Sequence, residues 1–254
     1  PLRYAWEQEY LPEKIFNFQF SIFKPITKPI LNYLKQWDYQ AGQKPDVLIA
    51  NSNFIAGKVK KCYGREAAVI YPPVDTSKFF YEGSPSINSG TKGLFPERSR
   101  RNTYYLSVGR MLHYKRFDLI IDAFAKLGLP LKIVGNGPEK QKLEARILKL
   151  GVKNVEMLPF ASDEELRKLY NGAKALIFPQ VEDFGLVAAE AQACGAPIIA
   201  YAAGGALEIV EDGKTGVLFK EQTIDGLAAA VADFEKRQFS RVKIAAAAKR
   251  FSKE

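Results

Sequence analysis

Cysteine and histidine are nearly absent. The chain has two cysteines, Cys62 and Cys194, and one histidine, His113. That excludes a disulfide framework and leaves no metal-ligand spacing, so no zinc or other metal site is expected. Thiols this sparse fit a reducing, cytosolic setting. There is also no run of 18 apolar residues, so no segment is expected to span a membrane. Pro1 stands where a methionine would begin a full chain, so an earlier segment, with any targeting signal, is expected to be missing.

Acidic residues are scarce in one region. Between Lys92 and Arg116, seven cations (Lys92, Arg98, Arg100, Arg101, Arg110, Lys115, Arg116) face Glu97 alone, a large share of the net +9. Such a bias favours phosphates, nucleic acid or a membrane surface, and a plain solvated loop is the alternative. No nucleic-acid motif accompanies it, so nucleic acid is not expected as a partner. With 47% hydrophobic and 26% charged residues in 254, the chain is otherwise an ordinary globular one.

The apolar pattern alternates between short runs and helical stretches. Residues 46–50 and 67–71 read as strands around a helix that Ser52 caps and Gly64 ends, one βαβ unit. Residues 72 to about 102 are rich in Pro, Ser, Gly and Arg and lack an apolar period, which predicts a linker or loop. From Tyr104 the alternation resumes. Strands are expected at 104–108, 131–134, 154–158, 175–178, 197–201 and 216–219. Helices are expected between them, one opened by a Ser162–Glu165 capping box. This order predicts a parallel, doubly wound α/β sheet whose strands are apolar on both faces. In the first 45 residues, Pro12, Pro25 and Pro29 are expected to break any long helix. There Leu11, Ile15, Phe16, Phe18, Phe20, Ile22 and Phe23 either cover a core, the favoured reading, or touch a membrane surface or an apolar acceptor.

Ligands of such sheets bind at the carboxyl ends of strands, so the strand-to-helix turns matter most. In VGRMLHYKRFD, Gly109 permits a tight turn, and Arg110 and Lys115 offer a guanidinium fork and an ammonium suited to a diphosphate. His113 between them is a bystander. In VGNGPEK, Gly135 and Gly137 allow close approach of a ligand. A nicotinamide fingerprint would need a third glycine where Lys140 stands. In EDFGLVAAE, Glu182, Asp183 and Phe184 precede Gly185, and Leu186 and Val187 begin a helix whose N–H groups form an anion site. Glu190 lies one turn in from Leu186, suited to a hydroxyl pair such as a ribose. In AAGGALE, Gly204 and Gly205 are either a further backbone surface for an anion or sugar, or a plain loop.

VGRMLHYKRFDLIIDAF, IVGNGPE, EDFGLVAAEAQACGAPIIAY and GGALEIVEDGKTGVLF together resemble the donor-binding domain of family 4 glycosyltransferases, which have the GT-B fold. The E-x7-E element is that family's signature, and the motif order matches over residues 104–219. PLRYAWE, ANSNFIAGKVKKCYG and VIYPPVD resemble the end of the same family's N-terminal domain. The set is most similar to bacterial mannosyltransferases of O-antigen and exopolysaccharide synthesis.

The resemblance implies residues 1–73 as a remnant of the acceptor-side domain, 74–102 as linker and 103–254 as a complete Rossmann-like donor domain. It implies a metal-independent retaining transferase, without a cofactor, acting on a nucleotide sugar, GDP-mannose favoured, and on a glycan or lipid-linked acceptor. It casts Arg110 and Lys115 on the diphosphate and Glu182 at the sugar. The N–H groups around Gly185 and Leu186 would meet phosphate and sugar, and Glu190 the ribose. Placement would be cytoplasmic, with peripheral contact at the inner face of the membrane as an alternative. The family's N-terminal acceptor site is not found, so donor binding with little transfer is expected of these residues. A non-catalytic nucleotide-sugar-binding module is the competing reading.

Overall fold

The computed structural model describes residues 20–83 and 103–253, which divide into two compact units, Pro1–Tyr71 and Pro72–Glu254. The apolar positions before Phe20 and the basic stretch from Lys92 to Arg101 lie outside the described residues.

The first unit begins with α1 (Phe20–Gln43), a helix of 24 residues. The expectation that prolines would break it is overturned, since Pro25 and Pro29 both lie inside it. Each proline removes one N–H···O=C bond. The two are four residues apart, so both lost donors fall on the same side and the opposite ladder continues. Pro12 lies outside the described residues. β1 (Ile49–Ala50) and β2 (Ala68–Val69) pair in parallel on either side of α2 (Asn53–Tyr63). The punctuation is local and as expected. The Ser52 side chain accepts from the Ile55 N–H, and Gly64 takes the left-handed conformation at φ 67°. Tyr63 donates to the buried Asp38 carboxylate on α1 at 3.0 Å, tying the two helices together.

The second unit holds a six-stranded parallel sheet. Its strands are β3 (Tyr104–Val108), β4 (Leu131–Val134), β5 (Val155–Leu158), β6 (Ala173–Phe178), β7 (Ile198–Tyr201) and β8 (Gly216–Phe219). Between them run α3 (Phe117–Leu127), α4 (Lys140–Leu150), α5 (Asp163–Gly172), α6 (Leu186–Ala193) and α7 (Ala206–Ile209). α8 (Ile224–Lys236), α9 (Arg241–Ala247) and a final 3-10 turn (Ala248–Phe251) complete it. All six strands expected from Tyr104 onward are present, and the Ser162–Glu165 capping box opens α5. The order across the sheet is β5-β4-β3-β6-β7-β8. The chain winds outward from β3 in one direction, then returns to β6 and winds in the other. The central strands are buried on both faces, as a doubly covered sheet requires. Tyr105, Phe124, Ile120, Ile133 and Leu227 are fully buried in the core of one face.

Residues 74–83, expected to be the start of a linker, are packed onto this unit as a strap. Val74 bridges to Ser252, and its N–H reaches the Phe251 carbonyl at 2.6 Å. Asp75 pairs with Lys253, Lys78 with Asp163 and Glu82 with Arg167. Val74 and Phe79 are buried. The sequence signal was weak because these apolar residues follow no helix or strand period. They fill separate gaps along an irregular backbone.

Candidate functional site

Strand order creates the site. β3 and β6 are neighbours, and their connections leave in opposite directions, so a crevice opens beyond their carboxyl ends. The loop after β3 carries Gly109, Arg110 and Lys115, and the loop after β6 carries Glu182 to Gly185.

Gly109, Gly135 and Gly137 form one layer. The Gly109 N–H bonds the Val134 carbonyl at 3.0 Å, and the Met111 N–H bonds the Asn136 carbonyl at 2.8 Å. Both turns are thus pressed edge to edge. A methyl group on Gly135 would overlap the Gly109 carbonyl oxygen, and one on Gly137 would lie 2.6 Å from that of Met111. Gly135 has φ 142°, so it needs glycine on conformational grounds as well. Beside this layer lies a cavity of about 610 Å³ lined by Arg110, Asn136, Pro138, Phe160 and Leu166. Arg110 is exposed at its edge. Phe160 and Leu166 carried no motif and were not anticipated, and Asn136 lies between the two glycines of VGNGPEK without having been assigned a part.

Lys115 and Glu182 meet across the crevice. The ammonium and carboxylate form an ion pair spanning 67 residues of sequence, with side chains only 13% and 19% exposed. Lys115 ends a 3-10 turn, His113–Lys115, and the next residue, Arg116, is left-handed at φ 57°. Arg116 donates to Gln222, whose amide donates to the Pro179 carbonyl, at 2.8 Å each. This brace joins the two loops. Arg116 was noted only as one cation of the basic region and Gln222 not at all, because a relay through a third loop has no local signature.

Gly185 stands at the N-terminus of α6 with φ 102° and no side-chain cap. Ala188 and Ala189 donate to the Gly185 carbonyl, whereas Leu186 and Val187 belong to the first turn, whose N–H groups a helix cannot pair internally. Leu186 is exposed there. Phe184 does not point into the crevice. Its ring is buried edge-on against Phe251, so only its backbone is available there. Asp183 is half-buried. Gly204 and Gly205 are buried against the Glu182 loop: the Gly205 N–H bonds the Glu182 carbonyl at 2.8 Å, and a methyl on Gly204 would come within 2.5 Å of it. Their smallness serves that contact.

Glu190 is held differently from Glu182. Tyr170 donates to its carboxylate at 3.3 Å, and burial pushes its carboxyl up to about 7, with Asp163 adding repulsion. A carboxyl raised in the folded state stabilises the fold below its unfolded value near 4.5 and loses that contribution as pH rises through about 7. Glu190→Gln is therefore expected to stabilise the second unit at pH 8 and not at pH 4. The gain should be about 2 kcal/mol after allowance for partial exposure, read by urea unfolding at the two pH values. An equal effect at both would contradict the titration.

Among the described residues no group of three or more His, Cys, Asp or Glu side chains could hold a metal, and no helix is long and apolar enough to cross a membrane.

A family model for glycosyl transferases group 1 matches residues 95–251, and the chain belongs to that family. An uncharacterized glycosyltransferase of Methanocaldococcus jannaschii is 28% identical over 82% of this chain and 55% of its own length. A D-inositol 3-phosphate glycosyltransferase of a Mycobacterium species is 34% identical over 71% of this chain and 43% of its own. The chain thus spans about half the length of the curated relatives it matches. Among solved structures, Anabaena HepE in complex with UDP-glucose superposes with a TM-score of 0.65 at 26% identity, over 84% of this chain and 61% of that one. Sucrose-phosphate synthase from Thermosynechococcus elongatus superposes at 0.72 with 22% identity, over 85% and 57%, a likeness of fold. The α/β fold of GT-B type expected from the sequence is the one observed.

Proposed function

We propose that this protein is a retaining glycosyltransferase whose second unit binds a nucleotide-sugar donor. The observation that carries the reading is the meeting of Lys115 and Glu182 at the point where the sheet reverses its winding. A cation, a carboxylate and a helix N-terminus converge there. Departure of a nucleoside diphosphate develops negative charge on its terminal phosphate, which preorganised cations and N–H groups stabilise. Lys115 and Arg110 take that role, with the N–H groups of Leu186 and Val187. Glu182 meets the sugar, with Asp183 beside it, and Glu190 the ribose hydroxyls. The glycine layer of Gly109, Gly135 and Gly137 lets the nucleotide lie against backbone. The acceptor is a glycan or a lipid-linked oligosaccharide, reached from the cytoplasm or at the inner face of the cell membrane.

Two donors divide the reading. The motif set resembles that of mannosyltransferases and favours GDP-mannose, whereas the solved Anabaena relative holds UDP-glucose. Thermal-shift measurements with UDP, GDP, UDP-glucose and GDP-mannose test this directly. A ligand at 100 times its Kd stabilises by about 2.7 kcal/mol, and GDP-mannose is expected to exceed UDP-glucose at equal concentration. A larger shift with UDP-glucose would reassign the donor. No shift with any of the four would overturn the functional reading.

A further inference from the structure

Tyr170, like Tyr105, is a tyrosine completely buried inside the second unit. It belongs to no motif of the family reading. Its hydroxyl reaches the Glu190 carboxylate, and its position is set from three sides. Phe79 of the strap packs edge-on against its ring, with centroids 6.0 Å apart. Arg241 on α9 donates to the Tyr170 carbonyl at 3.0 Å and to the Ala173 carbonyl at 3.1 Å. Asn171, the next residue, is clamped to the strap in both directions. It accepts from the Glu82 N–H at 2.9 Å and donates to the Phe80 carbonyl at 3.0 Å.

We propose that Tyr170 is a positioning residue for Glu190, and that the strap of residues 74–82 sets its position. This rests on the reading of Glu190 as a donor ligand. Glu190 projects from a helix in which four of the eight residues are alanine, Leu-Val-Ala-Ala-Glu-Ala-Gln-Ala. Such a helix offers few side-chain contacts to fix a long carboxylate, so the hold must come from a neighbouring element. Tyr170 supplies it from α5, and the strap braces α5 from outside. The segment that leads into the donor unit therefore reaches the ribose ligand through two packed contacts, Phe79 to Tyr170 and Tyr170 to Glu190.

The charged surroundings allow the hold to be read by titration. On α5, Tyr170 and Asp163 act on Glu190, and Tyr170 favours its ionised form while Asp163 opposes it. Cys194, just beyond α6, has its thiol pushed up to about 12 by burial and by Glu190, so it stays neutral. Arg167, Glu82 and Arg241 act on Cys194 at longer range. Arg250, on the last 3-10 turn, is engaged with the Glu208 and Ile209 carbonyls. Tyr170 is thus the hydrogen-bond donor whose removal should move Glu190.

The test uses the 254-residue chain with carbon-13 in its glutamate carboxyls. NMR titration of Glu190, assigned by Glu190→Gln, is expected to give a midpoint near 7 in the unsubstituted chain. Tyr170→Phe keeps the ring and should raise the midpoint. Phe79→Ala should raise it less. Affinity for GDP and UDP is measured in parallel by calorimetry at pH 7 and pH 9. Tyr170→Phe should weaken the preferred nucleotide about tenfold at pH 7, as loss of a hydrogen bond to a charged group does, and less at pH 9. The same substitution in a Glu190→Gln background should have little further effect. An unmoved Glu190 midpoint in Tyr170→Phe overturns the hold, and an unmoved midpoint in Phe79→Ala overturns the strap's part. A moved midpoint with unchanged nucleotide affinity overturns the positioning role. An unsubstituted chain that binds neither nucleotide overturns the functional reading itself, and the titration then judges the hold alone.

Discussion

Replacing Gly135 with alanine is expected to cost about 3 kcal/mol or more of stability in the second unit, and to abolish nucleotide binding. Two effects add. The φ of 142° is one that alanine rarely adopts, and the new methyl would overlap the Gly109 carbonyl oxygen. Backbone strain of this kind costs about 1–3 kcal/mol, and overpacking a further 1–3. The overlapped atom belongs to backbone, so no rotamer change relieves it. Relief would need the turn after β3 to move away from the turn after β4, carrying Arg110 with it. Gly128→Ala is the control. That residue is also left-handed, at φ 67°, but nothing lies within 4 Å of the added methyl. Its cost should be limited to about 1–2 kcal/mol. Urea unfolding of both variants checks the difference, and equal losses would show that contact between the two turns is unimportant.

Lys115→Ala is expected to weaken nucleoside diphosphate binding by about 2–4 kcal/mol, the cost of truncating one partner of a desolvated charge pair. It also leaves the Glu182 carboxylate, 19% exposed, without its cation and facing the incoming phosphates. Glu182→Gln should do the reverse for the bare diphosphate. With the competing carboxylate neutralised, Lys115 is released to the phosphates, and GDP or UDP should bind as well or better. The sugar-bearing donor should lose relative to the diphosphate, because its contact with Glu182 is gone. Calorimetry on the two single variants and the double variant measures the coupling. A Glu182→Gln variant that loses GDP and GDP-mannose equally would remove Glu182 from the sugar. A Lys115→Ala variant with unchanged diphosphate affinity would remove Lys115 from the phosphates.

These two sites were legible to the same extent. The glycines at 109, 135 and 137 stood out because each follows an apolar strand, where only a tight turn explains them. Their mutual contact was not legible, since it depends on β3 and β4 being neighbours. The same holds for Lys115 and Glu182. Each loop announced its own chemistry, but neither showed that the other would face it across 67 residues.

The residue pattern alone dictated the alternation of strands and helices. It also determined the caps at Ser52, Gly64 and Ser162, the glycine turns at strand ends and the doubly covered character of the sheet. These are local: a cap is a serine side chain meeting an N–H three residues on, or a glycine N–H meeting a carbonyl four residues back, and a buried strand shows in a short, mostly apolar run. The tertiary structure alone decided four things. α1 runs through Pro25 and Pro29, because two lost bonds on one side do not stop the ladder on the other. Residues 74–83 lie against α5 and the C-terminus, because isolated apolar side chains fill gaps without any period. Phe184 faces the core and not the crevice, because Phe251 comes to meet it from the far end of the chain. Glu190 is raised while Glu182 is paired with Lys115, because carboxylates in one short motif have different walls around them. In the last three cases the deciding neighbour is supplied by the packing of the folded chain, which no local pattern of residues encodes.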